Sequence, residues 1–142
     1  VLNDEQPAKA RPEKIPELKP AFASGGSITA ANCSSISDGA AALVLMSAAR
    51  AKELGISPLA KIAAHATYAK HPREFTTAPI VSMQKLLEKV GWSSNSVDLF
   101  EINEAFAMVA MMAIKELNLD PSKVNVNGGA CALGHPIGAS GA

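Results

Sequence analysis

A layered α/β domain, a mixed sheet with helices on both faces, is the fold class this sequence predicts. Short apolar runs alternate with stretches of helical apolar spacing, and cap and stop residues punctuate the boundaries. The length of 142 residues, with 48% hydrophobic and 18% charged, suits one domain with a sizeable interior.

The elements follow in order. Pro7, Pro12, Pro16 and Pro20 stand among Lys and Glu, which predicts an extended, solvated connector over residues 1–20. Gly25-Gly26 gives a turn, and residues 27–30 a short strand. "AAALVLM" (40–46) is too continuous for a surface helix and reads as a buried strand. Ser47 caps a helix through Leu54, which Gly55 stops. Residues 59–68 alternate loosely as a further strand. Pro79 opens a helix with Ile80, Met83, Leu86, Leu87 and Val90 on one face, ended by Gly91. "VDLFEIN" (97–103) is a strand, "EAFAMVAMMAIKEL" (104–117) a helix apolar nearly all round, and "KVNVNGG" (123–129) a last strand running into a glycine-rich loop.

Composition excludes several function classes. Lys plus Arg equals Asp plus Glu, 13 each, so no global field recruits nucleic acid or an anionic membrane. One Trp and one Tyr provide no base-stacking platform. The longest apolar run, 105–114, is too short to span a bilayer. Cys33 and Cys131 read as free thiols. His, Cys and Asp show no metal-ligand spacing. The sequence starts at Val1 and stops inside the glycine loop, so both ends read as truncated.

Chemistry concentrates in two blocks. His135 lies between Gly134, which lets backbone approach a ligand, and Pro136, which restricts the histidine. Held so, it serves as a general base or an oxyanion donor; the alternative is a surface histidine without a role. His65 and His71 lack such framing. Asn103, in "NEAFA", either positions a water or polarises a carbonyl, or is only an N-cap, with Glu104 a first-turn acid. The glycine loop fits neither the dinucleotide fingerprint nor a phosphate loop. The apolar neighbours of Cys131 would raise its thiol pKa, which favours packing over nucleophilicity, and Cys33 is read the same way.

Together "SITAANCSSISDGAAALVLMSAARA" (27–51), "NEAFA" (103–107) and "NVNGGACALGHPIGASGA" (125–142) resemble the thiolase family, most of all its acetoacetyl-CoA-forming acetyl-CoA C-acetyltransferases. The resemblance implies the end of the family's loop domain and connector over 1–26, and a truncated C-terminal domain over 27–142. It implies reversible Claisen condensation of two acetyl-CoA to acetoacetyl-CoA and CoA through an acyl-cysteine. His135 then activates that cysteine and contributes to an oxyanion hole, and Asn103 holds the water of a second one. Ser34, Phe22 and Ala30 match residues along the coenzyme A groove; Phe75, Ala105 and Phe106 match residues of the acyl pocket. Neither Cys33 nor Cys131 stands in the family's nucleophile or C-x-G motif, so the nucleophile is expected outside these residues.

The coenzyme A thioester is the substrate, and no cofactor or metal is implied. The connector "DEQPAKA" lacks the tyrosine through which some members bind potassium. The family further implies a homodimer or homotetramer of the full-length protein, in a bacterial-type cytoplasm or alternatively a mitochondrial matrix. "GHPIGASGA" is closer to the short-chain members than to the long-chain 3-ketoacyl-CoA thiolases. A non-catalytic acyl-CoA binding module is the other alternative.

Overall fold

The computed structural model describes residues 2–142. Its centre is a helix pair, α3 (Ala78–Val90) and α4 (Ala107–Leu117), packed with the 3-10 turn Pro72–Thr77. Ile80, Val109, Ala110 and Ala113 are buried between them, and Ala113 has no exposed surface. Small side chains at 110 and 113 let the helix surfaces approach closely. The extended segment 97–106 closes the core from one side: Phe100 and Ile102 are buried, while Leu99 and Glu101, which alternate with them, face solvent. That period of two is the strand signal expected there.

The helices end as the sequence indicates. In α2 (Ala48–Glu53) the Ser47 hydroxyl accepts from Arg50 N at 3.2 Å. Gly55, Gly91 and Asn118 all take left-handed φ, at 66°, 68° and 49°. The next residue of each donates back into the last turn: Ile56 N to Ala51 O, Trp92 N to Leu87 O and Leu119 N to Ile114 O. These are Schellman closures. Leu119, buried, packs under α4 as it turns away.

Three expectations are corrected. Of the expected extended connector over 1–20, the described residues 2–20 instead form α1 (Glu5–Lys9) and a 3-10 turn, Pro12–Glu17, and Val1 lies outside the described residues. Asp4 Oδ1 caps Gln6 N at 2.9 Å and Lys9 pairs with Glu5. Prolines at the start of each turn remove only donors that lack partners anyway. No residue of these turns is buried. Helix α4 starts at Ala107, not 104, and its Met111 is 66% exposed, so burial covers one face rather than nearly all.

The third correction concerns the sheet. Among the described residues the only β pairings are two isolated bridges, Cys33 with Phe106 (antiparallel) and Phe100 with Val124 (parallel). Residues 27–30 run into a turn closed by Asn32, whose side chain binds Ser27 O and Thr29 N. Segments 40–46 and 59–68 are irregular and open to water, with Val44 87% exposed. A strand exists by its neighbour, and no described segment pairs with the backbone of these two.

The last expected strand stops early for a local reason. Phe100 N donates to Lys123 O and Asn125 N to Phe100 O, at 2.8 and 2.9 Å. At Asn125 the backbone turns left-handed (φ 48°), and its side chain continues the ladder instead. Oδ1 accepts from Ile102 N at 2.8 Å and Nδ2 donates to Ile102 O at 2.9 Å. The chain is then free to enter the glycine loop and α5 (Ala130–Leu133).

Candidate active site

Asn103 leaves the extended segment just after Ile102 and well before α4, whose N-cap position is Phe106. It is therefore not a helix cap. Its Nδ2 lies 3.2 Å from His135 Nε2. On the other side of the ring, Nδ1 lies 2.7 Å from Ser140 Oγ, and that hydroxyl donates to Pro136 O. When that hydroxyl donates to Pro136 O, Ser140 Oγ accepts from Nδ1–H. Nε2 then carries the lone pair and accepts from the Asn103 amide. In that arrangement His135 is the neutral tautomer with a base at Nε2.

The backbone around His135 is held by the segment 32–39. His135 N donates to Ser35 O at 3.0 Å. Gly134 has φ 91°, and a Cβ there would fall 2.2 Å from Ser37 Oγ. A Cβ on Gly39 would meet Pro136 at 2.6 Å. The same segment grips the chain beyond Asn103: Ala107 N donates to Asn32 O, while Ser34 N and Oγ both donate to Ala105 O. One strap thus fixes both blocks.

Asn103 and His135 open onto a cavity of about 400 Å³. Phe75, Pro79, Met83, Ile102, Ala105 and Val109 supply apolar walls, with Thr76, Ser82 and Glu101 among the polar lining. Phe106 touches this wall from outside: its ring centroid is 6.5 Å from Phe75 and 5.8 Å, edge to face, from Phe22. Of the residues matched to the acyl pocket, Phe75 and Ala105 line the cavity and Phe106 backs Phe75. Of those matched to the coenzyme groove, Ser34 is tied to Ala105, Phe22 is exposed against Phe106, and Ala30 lies exposed in the turn before the strap.

Glu104, expected as a first-turn acid of the helix, turns elsewhere. Oε1 accepts from Asn125 Nδ2 at 3.0 Å, and Oε2 accepts from Cys131 N at 3.2 Å, in the first turn of α5. Cys131 Sγ donates to Glu104 O. Desolvation, then the Glu104 charge, push the Cys131 thiol up to about 11. Such a thiol is a poor nucleophile at neutral pH. Among the described residues no group of His, Cys, Asp and Glu is arranged to hold a metal ion.

Sequence reasoning missed Ser140 and Asn125. Ser140 had a signal, a hydroxyl five residues after His135 in a glycine-rich loop; Asn125, read as part of the last strand, had none.

Comparison with known proteins now bears on these residues. The family model described as Thiolase, C-terminal domain matches residues 56–142. The chain belongs to the thiolase family. A second model, Thiolase, N-terminal domain, matches residues 1–49. A probable acetyl-CoA acetyltransferase from Dictyostelium discoideum is 52% identical over 141 residues, 99% of this chain and 34% of that protein. The Acat5 thiolase of Ascaris suum, solved in complex with coenzyme A, superimposes with a TM-score of 0.95 at 48% identity, covering 99% of this chain and 37% of that one. The Bacillus anthracis acetyl-CoA acetyltransferase does so at 0.91 and 49%, covering 98% and 36%. This thiolase chain spans about a third of the length of the relatives it matches.

Proposed function

We propose that these residues are one segment of a longer acetyl-CoA C-acetyltransferase and supply the His135–Asn103 half of its active site. The observation that carries this reading is His135 Nε2 set 3.2 Å from the Asn103 side-chain amide at the mouth of an apolar-walled cavity. A base and a neutral donor set side by side suit thioester chemistry.

The reaction is a reversible Claisen condensation. A cysteine thiol outside this chain gives its proton to Nε2 and attacks the carbonyl of acetyl-CoA. Coenzyme A leaves as the thiol, taking that proton. A second acetyl-CoA then gives an α-proton to a base outside this chain, and its carbanion attacks the acyl carbon, giving acetoacetyl-CoA and expelling the enzyme thiolate, which takes that proton back. Splitting the transfer in two lowers each barrier. The enolate oxygen needs donors in a water-poor site, each worth about 3 kcal/mol. Asn103 has a second amide hydrogen for this, aimed at a water or at the oxygen itself. Ser34, Phe22 and Ala30 lie along the course proposed for the pantetheine arm, and Phe75, Ala105 and Phe106 bound the acyl group.

The mixed sheet belongs to the same proposal: residues 40–46 and 59–68 become strands when the remaining two-thirds of the enzyme lies beside them, with the C-terminal domain counted from residue 27. The full-length enzyme is proposed as a homodimer or homotetramer. Relatives of similar identity include bacterial and mitochondrial proteins, and a bacterial-type cytoplasm is the compartment we infer. No described helix is long and apolar enough to cross a membrane.

The test is thiolysis of acetoacetyl-CoA by the full-length enzyme and by the 142-residue chain. His135→Ala in the full-length enzyme should lower turnover at least about a hundredfold with the fold intact. The chain alone, without a nucleophile, should turn over nothing. Near-normal activity of His135→Ala would refute the role of Nε2. Tight coenzyme A binding with no turnover by the full-length protein would establish a non-catalytic module, and a preference for long acyl chains would establish the degradative class.

A further inference from the structure

Asn103 and His135 are far apart in sequence, yet their contact is a single hydrogen bond between exposed side chains. Something more rigid must set their spacing. Each has a neighbour that does. Glu104 follows Asn103 directly, and Cys131 lies one helical turn before His135. The Glu104 carboxylate joins them, through Oε2 to Cys131 N and through Oε1 to Asn125 Nδ2.

Both groups aimed at Glu104 are donors, and neither can reverse. Cys131 offers a backbone N–H. Asn125 cannot flip its amide, because Oδ1 already accepts from Ile102 N while Nδ2 donates to Ile102 O. A site with two fixed donors requires two acceptors, which only an ionised carboxylate supplies in this shape. Glutamine, of the same size, sets an NH2 group against one of the two donors whichever way it turns. The fit is also tight. A Cβ on Gly129 would lie 2.2 to 2.3 Å from the carboxylate atoms.

We propose, on the reading of the site given above, that Glu104 is a positioning residue: its carboxylate bridges Asn125 and the first turn of α5 and thereby sets the distance between Asn103 and His135. Glu104 touches no reacting atom. Its charge is used inside the protein, to lock two loops in register.

Two substitutions test this from opposite sides. Glu104→Gln changes the chemistry and keeps the shape. Gly129→Ala keeps the chemistry and removes the space; residue 129 has φ −123° and ψ 179°, which any residue adopts, so its effect comes from the Cβ and not from strain. Both are read in two ways. On the 142-residue chain, nuclear Overhauser contacts between the Asn103 side-chain amide and the His135 ring report the spacing. In the full-length enzyme, kcat and KM are measured separately. The contacts should weaken or vanish in both variants, and kcat should fall about tenfold or more with KM within about twofold, since a misplacement of about 1 Å is costly in a reacting pair.

Leu119→Ala, a core truncation away from the site, serves as control: it lowers melting temperature at least as much but keeps both contacts and kcat. Unchanged contacts in Glu104→Gln and Gly129→Ala would overturn the proposal. So would a kcat loss in Leu119→Ala that tracks stability in the same way. Lost contacts in a full-length protein without any thiolase activity would keep Glu104 as the spacer and refute the proposed reaction instead.

Discussion

Replacing Asn125 by alanine removes three hydrogen bonds at once. Two are to the Ile102 backbone, at 2.8 and 2.9 Å, and the third is to the Glu104 carboxylate at 3.0 Å. Neutral bonds of this kind contribute about 1 kcal/mol each and the charge-assisted one about 2. Alanine also tolerates the left-handed backbone of position 125 poorly, at a cost of about 1 kcal/mol. The expected loss is therefore about 4 to 5 kcal/mol, a large share of the stability of any domain. Urea denaturation of the chain, followed by far-UV circular dichroism, measures it. Asn125→Gly separates the two causes, for it loses the same bonds without the backbone cost and should be about 1 kcal/mol less damaging than alanine. Asn125→Asp should be no better than alanine, because it sets a second carboxylate against Glu104 and against Ile102 O. A loss below about 1 kcal/mol for alanine, or a well-tolerated aspartate, would refute the account of Asn125 as a side chain acting in place of a strand.

Other consequences are as direct. Cys131 should alkylate slowly at pH 8 and faster as pH rises toward 11, since its thiol is raised from 9.0 to about 11. The folded state then holds a proton that the unfolded state gives up, so stability from this group falls between about pH 9 and 11; pH-dependent unfolding with Cys131→Ala as reference checks the sign. Gly134→Ala should lower thiolysis by the full-length enzyme at least about tenfold, because the new Cβ must displace Ser37 Oγ from 2.2 Å and hold φ 91°. An intact rate there would show that the strap does not fix His135.

What the sequence made legible was whatever local chemistry decides. Ser47, Gly55, Pro79 and Gly91 mark helix ends because a cap or a left-handed residue acts within its own turn. The family resemblance carried by "NEAFA" and "GHPIGASGA" also held. What it left illegible depends on partners distant in the chain. Residues 40–46 have the hydrophobicity of a buried strand, but burial needs a second segment beside them, and the sequence of one segment does not contain the other. Asn103 could be read as a helix cap or as a functional amide, its spacing favouring the cap, and only the start of α4 at Ala107 rules the cap out. The first twenty residues misled in the opposite sense. Their prolines suggested extension, whereas proline at the start of a turn is compatible with a helix.

The strap from Asn32 to Gly39 has a consequence for the order in which the molecule assembles. The bond between Ser34 and Ala105 closes a loop of 71 residues, against 32 for Asn103 and His135. The longer closure costs about 0.7 kcal/mol more in chain entropy. Helices α3 and α4, by contrast, gain their contacts from nearby sequence. The expected sequence of events is a helical core first and the strap last, which leaves the Asn103–His135 pair as the final part to form and the first to open. Backbone amides of Ser34, Ala107 and His135 should then exchange hydrogen with solvent faster than those of Val109 and Ala113, by brief detachment of the strap while the core stays closed.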